Sequence, residues 1–261
     1  MSLHVTRVVN ACALLELDGA CVLTDPFFDA RWFLRFAEPI GLSAAALPEL
    51  AAILGGHGVL DHWQPQALRG YPHRATTPVL VATQAMARRA QAAGFRRVEV
   101  VGWGAARSLG PRLSVEVVAA QRSGGMTVNS YVLRTPSLRV FVGTEARDLA
   151  PIEAYRSQHP AVDVALLPID GASLFGRPLV MAAAGAIAAC RLLGARVLVP
   201  LHYALRPVPP ILQIRGGLGQ LIEAAAEAPD LEVVALKPGE RRAIMGRRAT
   251  PSAVDLDERP R

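Results

Sequence analysis

The sequence predicts an α/β fold in which mixed β-sheets are covered by helices. Strand-like segments dominate roughly the first 140 residues, whereas strand-like and helix-like segments alternate in the second half. A turn at Asp18-Gly19 between two apolar segments is a strong hairpin signal. Two mixed sheets with helices on them fit this order, although periodicity alone does not select that arrangement.

Short apolar runs bounded by turn residues predict the strands. We place them at Val5–Val9, Cys12–Leu17, Cys21–Leu23, Pro78–Ala82, Val98–Val101, Leu113–Ala119, Tyr131–Arg134, Leu138–Val142, Val162–Leu167, Val197–Leu201 and Leu231–Ala235. Helices are expected where apolar residues recur with helical spacing and a glycine or proline follows. We place them at Gln84–Ala93, Met181–Leu193 and Leu218–Ala228, with a short helix at Pro65–Leu68.

The composition is that of an ordinary globular protein, with 51% hydrophobic and 19% charged residues in a chain of 261. No apolar run approaches the ~20 residues that span a bilayer, and the N-terminus lacks the pattern of a secretory signal. The three cysteines give no disulfide framework, so we expect reduced thiols and a cytoplasmic location. We expect one domain over residues 1–245 and a disordered charged tail over 246–261.

The formal net charge of +6 raises the question of a nucleic-acid partner. The arginines are scattered along the chain, and aromatic residues are not interleaved with them. Nucleic acid is therefore a disfavoured partner, and we expect a small-molecule substrate. The oligomeric state cannot be inferred from the sequence.

The segment GGHGVLDHW, residues 55–63, carries the clearest chemical signal. It places His57, Asp61 and His62 within six residues. Imidazoles and a carboxylate this close together suit a divalent metal, because one loop can direct all of them to one point.

A further histidine, His202, ends the predicted strand Val197–Leu201, where a side chain projects at a sheet edge. Together, Asp61, His62 and His202 make a two-histidine, one-carboxylate site with open positions for water. Such a site lowers the pKa of bound water and polarises a substrate oxygen. His57 is either a further ligand or a hydrogen-bond partner of the bound water, and a histidine at a strand end can also be only a hydrogen-bonded residue.

In this order, the motifs resemble the metallo-β-lactamase fold, in its branch of metal-dependent hydrolases. The elements that carry the resemblance are Asn10-Ala11-Cys12, Leu23-Thr24-Asp25-Pro26, His57-x-x-x-Asp61-His62, Phe141-Val142-Gly143, Val162–Pro168 and Pro200-Leu201-His202-Tyr203. The resemblance runs over about residues 5–240. It implies a four-layer αβ/βα sandwich, two mixed β-sheets flanked by helices, with a metal site at one edge between the sheets.

The chain departs from the family pattern at three places. Val59 replaces the second histidine of the motif HxHxDH. The next family histidine falls on Gln121 or Arg122, because the register is ambiguous by one residue. Thr144 stands where the family has a bridging aspartate; Glu145 follows it, but strand alternation would point Glu145 the other way.

The resemblance implies two metal positions. One metal would be held by the first two histidines of the motif and by the downstream histidine, and of these three only His57 remains. The ligands of the other metal remain as Asp61, His62 and His202. This implies one ion rather than two, zinc first, with manganese or iron as alternatives. The candidate metal ligands are therefore His57, Asp61, His62 and His202, and the candidate catalytic residues are His57, Asp61 and Arg122.

Three functions stay open from the sequence. The first is a mononuclear hydrolase of a small ester, amide, lactone or phosphodiester, in which Arg122 stabilises developing negative charge. The second is a pseudoenzyme of the same fold that has lost its metal and acts as a ligand-binding or regulatory protein. The third, an RNA-processing enzyme, is the weakest because no basic stripe is present. Asp25 either orients a ligating imidazole or is only a turn residue before Pro26.

Overall fold

The computed structural model describes residues 2–29, 35–123 and 126–244 and follows the predicted order of elements. Its strands are β1 Leu3–Val9, β2 Cys12–Leu17, β3 Ala20–Thr24, β4 Ala52–Gly55, β5 Pro78–Val81, β6 Arg97–Val100, β7 Ala106–Ser108, β8 Ser114–Ser123, β9 Met126–Arg134, β10 Arg139–Val142, β11 Val164–Pro168, β12 Ser173–Leu174, β13 Arg177–Pro178, β14 Val197–Leu201, β15 Leu212–Gln213, β16 Glu232–Val233 and β17 Arg241–Ile244. The helices are α1 Gln84–Ala92, α2 Ala150–Gln158, α3 Ala183–Leu193 and α4 Leu218–Ala225, with 3-10 turns at Ala44–Ala46 and Pro65–Leu68.

Two large mixed sheets form the body of the protein. The first has the order β17-β1-β2-β3-β4-β5-β6 and the second β16-β14-β11-β10-β9-β8-β7. Strands β3 to β6 run parallel to one another, as do β10, β11, β14 and β16, and the remaining pairs are antiparallel. A third, small sheet has the order β13-β12-β15. The hairpin predicted at Asp18-Gly19 is present, with both residues at positive φ (47° and 90°).

Three apolar clusters separate four layers, because successive side chains of a strand face opposite sides of its sheet. Leu15 and Leu166, one from each large sheet, belong to the cluster between the sheets. Leu14 faces the other way and packs with Met86 of α1 on the outer side of the first sheet. Leu167 likewise packs with α3, including Ile187, on the outer side of the second sheet. The predicted αβ/βα sandwich is confirmed.

Some elements were not predicted from the sequence. Helix α2 begins with a proline in its first turn and buries only Ile152 and Tyr155, so its apolar pattern is short. Strand β17 has one buried residue, Ile244, among exposed ones, and it pairs with the edge of the first sheet. Edge strands with charged side chains give a weak apolar signal. The predicted tail, residues 246–261, lies outside the described residues, and the single-domain boundary stays a prediction.

The parallel strands of both sheets end at one edge of the sandwich. Residues that follow the carboxyl ends of parallel strands commonly form sites, since the chain leaves the sheet there. The residues in these positions are Asp25 after β3, His57 after β4, Glu145 after β10, Asp170 after β11 and His202 after β14. Within the described part of the chain, no helix has the length and apolar character needed to cross a membrane.

Candidate metal centre

The loop that carries the histidine motif is fixed by its own turn and by a buried tryptophan. The carbonyl of Val59 accepts hydrogen bonds from the backbone amides of His62 (3.2 Å) and Trp63 (2.9 Å). The indole of Trp63 is fully buried and donates to the carbonyl of Met86 at 3.1 Å. This turn places Asp61 and His62 side by side above β4.

The structure brings together three of the predicted ligands. One ligand atom each of Asp61, His62 and His202 lies within 4.8 Å of the others. The carboxylate Oδ2 of Asp61 is 3.6 Å from the Nε2 atoms of both His62 and His202. The two imidazoles are nearly parallel, with ring centroids 5.2 Å apart and an interplanar angle of 25°. Both are buried, whereas the side chain of Asp61 keeps 17% of its exposure.

Two carboxylates fix the orientation of the two imidazoles. Nδ1 of His62 lies 3.0 Å from Oδ2 of Asp25, and Nδ1 of His202 lies 2.9 Å from Oδ2 of Asp170. Each contact uses the Nδ1 side of the ring, so each Nε2 faces the centre of the site. A carboxylate on the far nitrogen of a histidine fixes its tautomer and increases its basicity as a ligand.

These carboxylates are themselves held by the fold. Oδ1 of Asp25 accepts from the backbone amide of Gly56 at 2.6 Å, and the hydroxyl of Thr144 donates to Oδ2 of Asp25. Oδ1 of Asp170 accepts from the amide of Ala172 at 3.0 Å. Of the two interpretations of Asp25, the structure shows the contact that orients an imidazole. Asp170 was missed from the sequence; its signal was a carboxylate two residues after a buried strand.

Glu145 lies at the middle of the cluster. Its Oε2 is 2.8 Å from Nε2 of His62 and 3.8 Å from Nε2 of His202, and its Oε1 is 3.2 Å from Nδ1 of His57. The expectation that Glu145 points away rested on strand alternation. That alternation does not reach Glu145, because β10 ends at Val142 and the chain turns at Gly143, whose carbonyl accepts from the amide of Ala146 at 3.1 Å.

His57 lies beside Glu145 and outside the group of three ligands. Its ring centroid is 5.8 Å from that of His62. Nδ1 of His57 faces Oε1 of Glu145, and its Nε2 is buried without a hydrogen-bond partner. Its predicted role as a ligand therefore stays a prediction.

The side chain of Gln121 faces this region. Its Nε2 donates to the backbone carbonyl of Glu145 at 2.6 Å, and its Oε1 accepts from the amide of Arg147 at 3.4 Å. The ladder between β8 and β9 is irregular between Ala119 and Arg122, and bulges of this kind redirect side chains near sites. Arg122 belongs to β8, but its side chain lies outside the described residues, so its electrostatic role stays a prediction.

The charges of the cluster are strongly coupled. Burial alone would lower the pKa of His62, but the carboxylates of Glu145 and Asp61 raise it well above the usual range. Burial opposes ionisation of Glu145 too, yet the neighbouring His62 and His57 hold its pKa well below the usual range. The pKa of His202 is raised to about 10: burial opposes the rise, and Asp170 causes it. The pKa of the Asp61 carboxyl is lowered: burial opposes this shift, but the neighbouring imidazoles of His62 and His202 outweigh it.

The donor set fits a divalent cation. Four carboxyl groups and three imidazoles share this region, and Nε2 of His57 is buried there without a hydrogen-bond partner. Buried polar atoms left in this state carry a large desolvation cost. Nitrogen and carboxylate donors that converge on one point are the ligands that zinc, manganese and iron prefer.

Similar proteins have the same fold. A family model described as a beta-lactamase superfamily domain matches residues 21–203. A metallo hydrolase from the archaeon Ignicoccus hospitalis is 19% identical, with 95% of this chain and 100% of that chain covered and a TM-score of 0.70. An isothiocyanate hydrolase from Delia radicum gut bacteria is 16% identical, with 94% and 100% covered and a TM-score of 0.73.

A third structure is CmlA, a diiron β-hydroxylase from Streptomyces venezuelae. It is 16% identical, with 93% of this chain and 53% of that chain covered and a TM-score of 0.70. No curated protein matches the sequence. The family model extends over more than half of the chain, and the sandwich with its histidine-rich edge has the matching architecture. This chain therefore belongs to the beta-lactamase superfamily and has the metallo-β-lactamase fold.

Proposed function

We propose that this chain is a metal-dependent hydrolase that holds one divalent ion with Asp61, His62 and His202. The observation that carries the proposal is the convergence of these three side chains within 4.8 Å, on imidazoles whose far nitrogens are fixed by Asp25 and Asp170. Histidines that bind a metal typically have the second ring nitrogen held by a carboxylate in this way. A histidine with a purely structural role does not need its Nε2 to point at the same place as other ligand atoms. Zinc is our first expectation, with manganese or iron as alternatives.

Glu145 extends the proposed ligand set. Its Oε2 lies 2.8 Å from Nε2 of His62 and 3.8 Å from Nε2 of His202. A carboxylate in this position would add a second negative charge to that of Asp61. When bound, the ion would lower the pKa of a water molecule and polarise the substrate oxygen.

His57 is proposed as the residue that moves a proton. Its Nδ1 faces Oε1 of Glu145 at 3.2 Å, and its Nε2 is buried and unpartnered. With Nδ1 held by the carboxylate, Nε2 is the atom that accepts a proton from water or returns it to a leaving group. Arg122 is retained as the group that stabilises developing negative charge.

One ion is proposed rather than two, because the described residues contain a single group of three convergent ligands. Of the ligands that the family resemblance implies for the other metal, only His57 remains; Val59 takes the place of one histidine, and Gln121 or Arg122 takes the place of the other. The diiron neighbour makes two iron ions the competing outcome for the metal measurement.

The proposed substrate is a small ester, amide, lactone or phosphodiester. Hydrolysis is the reaction named for the structural neighbour that acts on isothiocyanates, which supports the reaction class. We propose a cytoplasmic location and a small molecule rather than a nucleic acid as the partner. The scattered arginines and three cysteines without a disulfide support these two points.

One observation favours the metal-free alternative, a pseudoenzyme of this fold. The pKa values of His62 and His202 are raised, and both imidazoles lie against carboxylates. Protonated imidazoles can neutralise these carboxylates without an ion. In that case, the protein would bind a ligand or regulate a partner.

The metal content of protein never exposed to a chelator decides between the two functions. We expect about one zinc, manganese or iron per chain, with loss of metal in His62→Ala and retention in the control His73→Ala, whose ring lies against Tyr71. A content below about a tenth of an ion per chain, with no thermal shift on addition of zinc or manganese, would overturn the proposed hydrolase. Metal-loaded protein is then assayed on esters, amides, lactones and phosphodiesters, with His57→Ala as the variant that keeps the metal and loses turnover.

A further inference from the structure

The loop between β1 and β2 contacts two of the proposed ligands at once. The side-chain Nδ2 of Asn10 donates to the backbone carbonyl of Asp61 at 3.1 Å and lies 3.5 Å from its carboxylate Oδ2. The backbone carbonyl of Asn10 accepts from the amide of His202 at 3.0 Å. Asn10 is fully buried.

These contacts allow only one orientation of the Asn10 side-chain amide. Both neighbours of Nδ2 are oxygen atoms of Asp61, so an amide turned by half a rotation would place oxygen against oxygen. The amide nitrogen therefore faces Asp61. The backbone φ of Asn10 is 51°, in the left-handed region, which asparagine adopts more readily than most residues.

The two contacts join parts of the chain that are far apart in sequence. Asp61 belongs to the loop after β4 of the first sheet, whereas His202 follows β14 of the second sheet. The distance between Asp61 and His202 at the metal centre therefore depends on how the two sheets pack together. Asn10, which follows β1, contacts Asp61 through its side chain and His202 through its backbone carbonyl.

From this geometry we infer that Asn10 is a positioning residue of the metal centre, and that it holds Asp61 and His202 at the separation that one ion needs. The inference rests on the proposed function. Asn10 touches no substrate. It acts through Asp61, by the side-chain amide, and through His202, by the backbone.

The variant that isolates the side chain is Asn10→Gly. Glycine keeps the left-handed conformation at no steric cost, so the bond from the His202 amide to the carbonyl of residue 10 survives. Only the contact with Asp61 is lost. Asp18→Gly is the matched control, because Asp18 occupies a left-handed position (φ 47°) in the neighbouring turn between β2 and β3.

The test measures zinc binding by calorimetry, the electronic spectrum of the cobalt-substituted protein, and the melting temperature without metal. For Asn10→Gly we expect zinc affinity to fall about tenfold or more and the cobalt spectrum to change, because the spectrum reports ligand geometry. Asp18→Gly should keep the wild-type spectrum and an affinity within about twofold of wild type. The melting temperatures without metal should be similar for the two variants.

The outcomes separate this inference from the proposed function. Wild-type protein that takes up no zinc overturns the proposed function and this inference with it. Zinc uptake by wild type, with an unchanged affinity and cobalt spectrum in Asn10→Gly, overturns the inference alone. A loss of affinity of equal size in Asp18→Gly also overturns it, since the effect would then come from turn flexibility in general.

Discussion

Oε2 of Glu145 lies 2.8 Å from Nε2 of His62, and both side chains are buried. Glu145 thus places a carboxylate at the centre of the site. The bridging aspartate that the family resemblance implies at position 144 is absent. Thr144, which stands in that position, donates its hydroxyl to Asp25 instead. The neighbouring residue thus provides the central carboxylate, and the threonine supports the carboxylate that orients His62.

Replacement of Glu145 by glutamine should weaken metal binding. Glu145→Gln keeps the size of the side chain and removes the negative charge next to His62 and His202, so we expect zinc affinity to fall at least about tenfold. Calorimetric titration of the metal-free protein measures this. Glu153→Gln on the exposed part of α2 is the control, and equal affinities for the two variants would exclude Glu145 as a ligand.

The orientation of His202 by Asp170 predicts a second loss of affinity. In Asp170→Asn the imidazole loses the charged partner of its Nδ1, and we expect zinc to bind about 10 to 100-fold more weakly. Asp163→Asn is a suitable control, because Asp163 also holds a backbone amide after a turn (Arg139, 2.8 Å) but lies away from the site. Wild-type affinity in Asp170→Asn would mean that the contact is only structural.

A second ion should become bindable when the missing histidines are restored. We expect the double variant Val59→His, Gln121→His to raise the metal content from about one to about two per chain. Thr144 is left unchanged, since an aspartate there would place a second carboxylate against Asp25 and remove the hydroxyl that it binds. Elemental analysis measures the content, and a value unchanged from wild type contradicts the expectation.

A methyl group at Gly56 should destabilise the protein. A Cβ atom there would lie 2.7 Å from the backbone carbonyl oxygen of Asn129 and close to Thr144 and Asp25. We expect Gly56→Ala to lower the free energy of unfolding by about 1–3 kcal/mol. Gly70→Ala, where nothing lies within 4 Å, should change it by no more than about 0.5 kcal/mol. Urea denaturation compares the two variants.

The cysteines should react slowly with thiol reagents and faster as the pH rises. Burial raises the pKa of Cys12 and Cys21, and it raises that of Cys190 to about 12. Because only the thiolate reacts, and its fraction grows about tenfold per pH unit below the pKa, the rate should increase steeply from about pH 7 to about pH 9. Cys21 is the least buried and should be labelled first; rapid labelling of Cys12 in the folded protein would contradict the buried environment.

The sequence by itself determined the strands with strong apolar runs, the helices that end at glycine, and the placement of Asp61 and His62 side by side in one loop. These features depend on local chemistry. Gly94 and Gly194 follow helices α1 and α3 at positive φ, as the glycines in the sequence predict. The loop with the histidine motif is also specified locally, because Asp61 and His62 are adjacent in the chain.

Only the tertiary structure decided the position of Glu145, the contacts of Asp170 and the double contact of Asn10. Each depends on how the ends of strands from the two sheets come together, which no local sequence pattern encodes. Glu145 illustrates the reason: alternation predicts its direction only while the strand continues, and β10 ends three residues earlier. Strand β17 and helix α2 escaped prediction because packing against a neighbour, rather than their own apolar pattern, stabilises them.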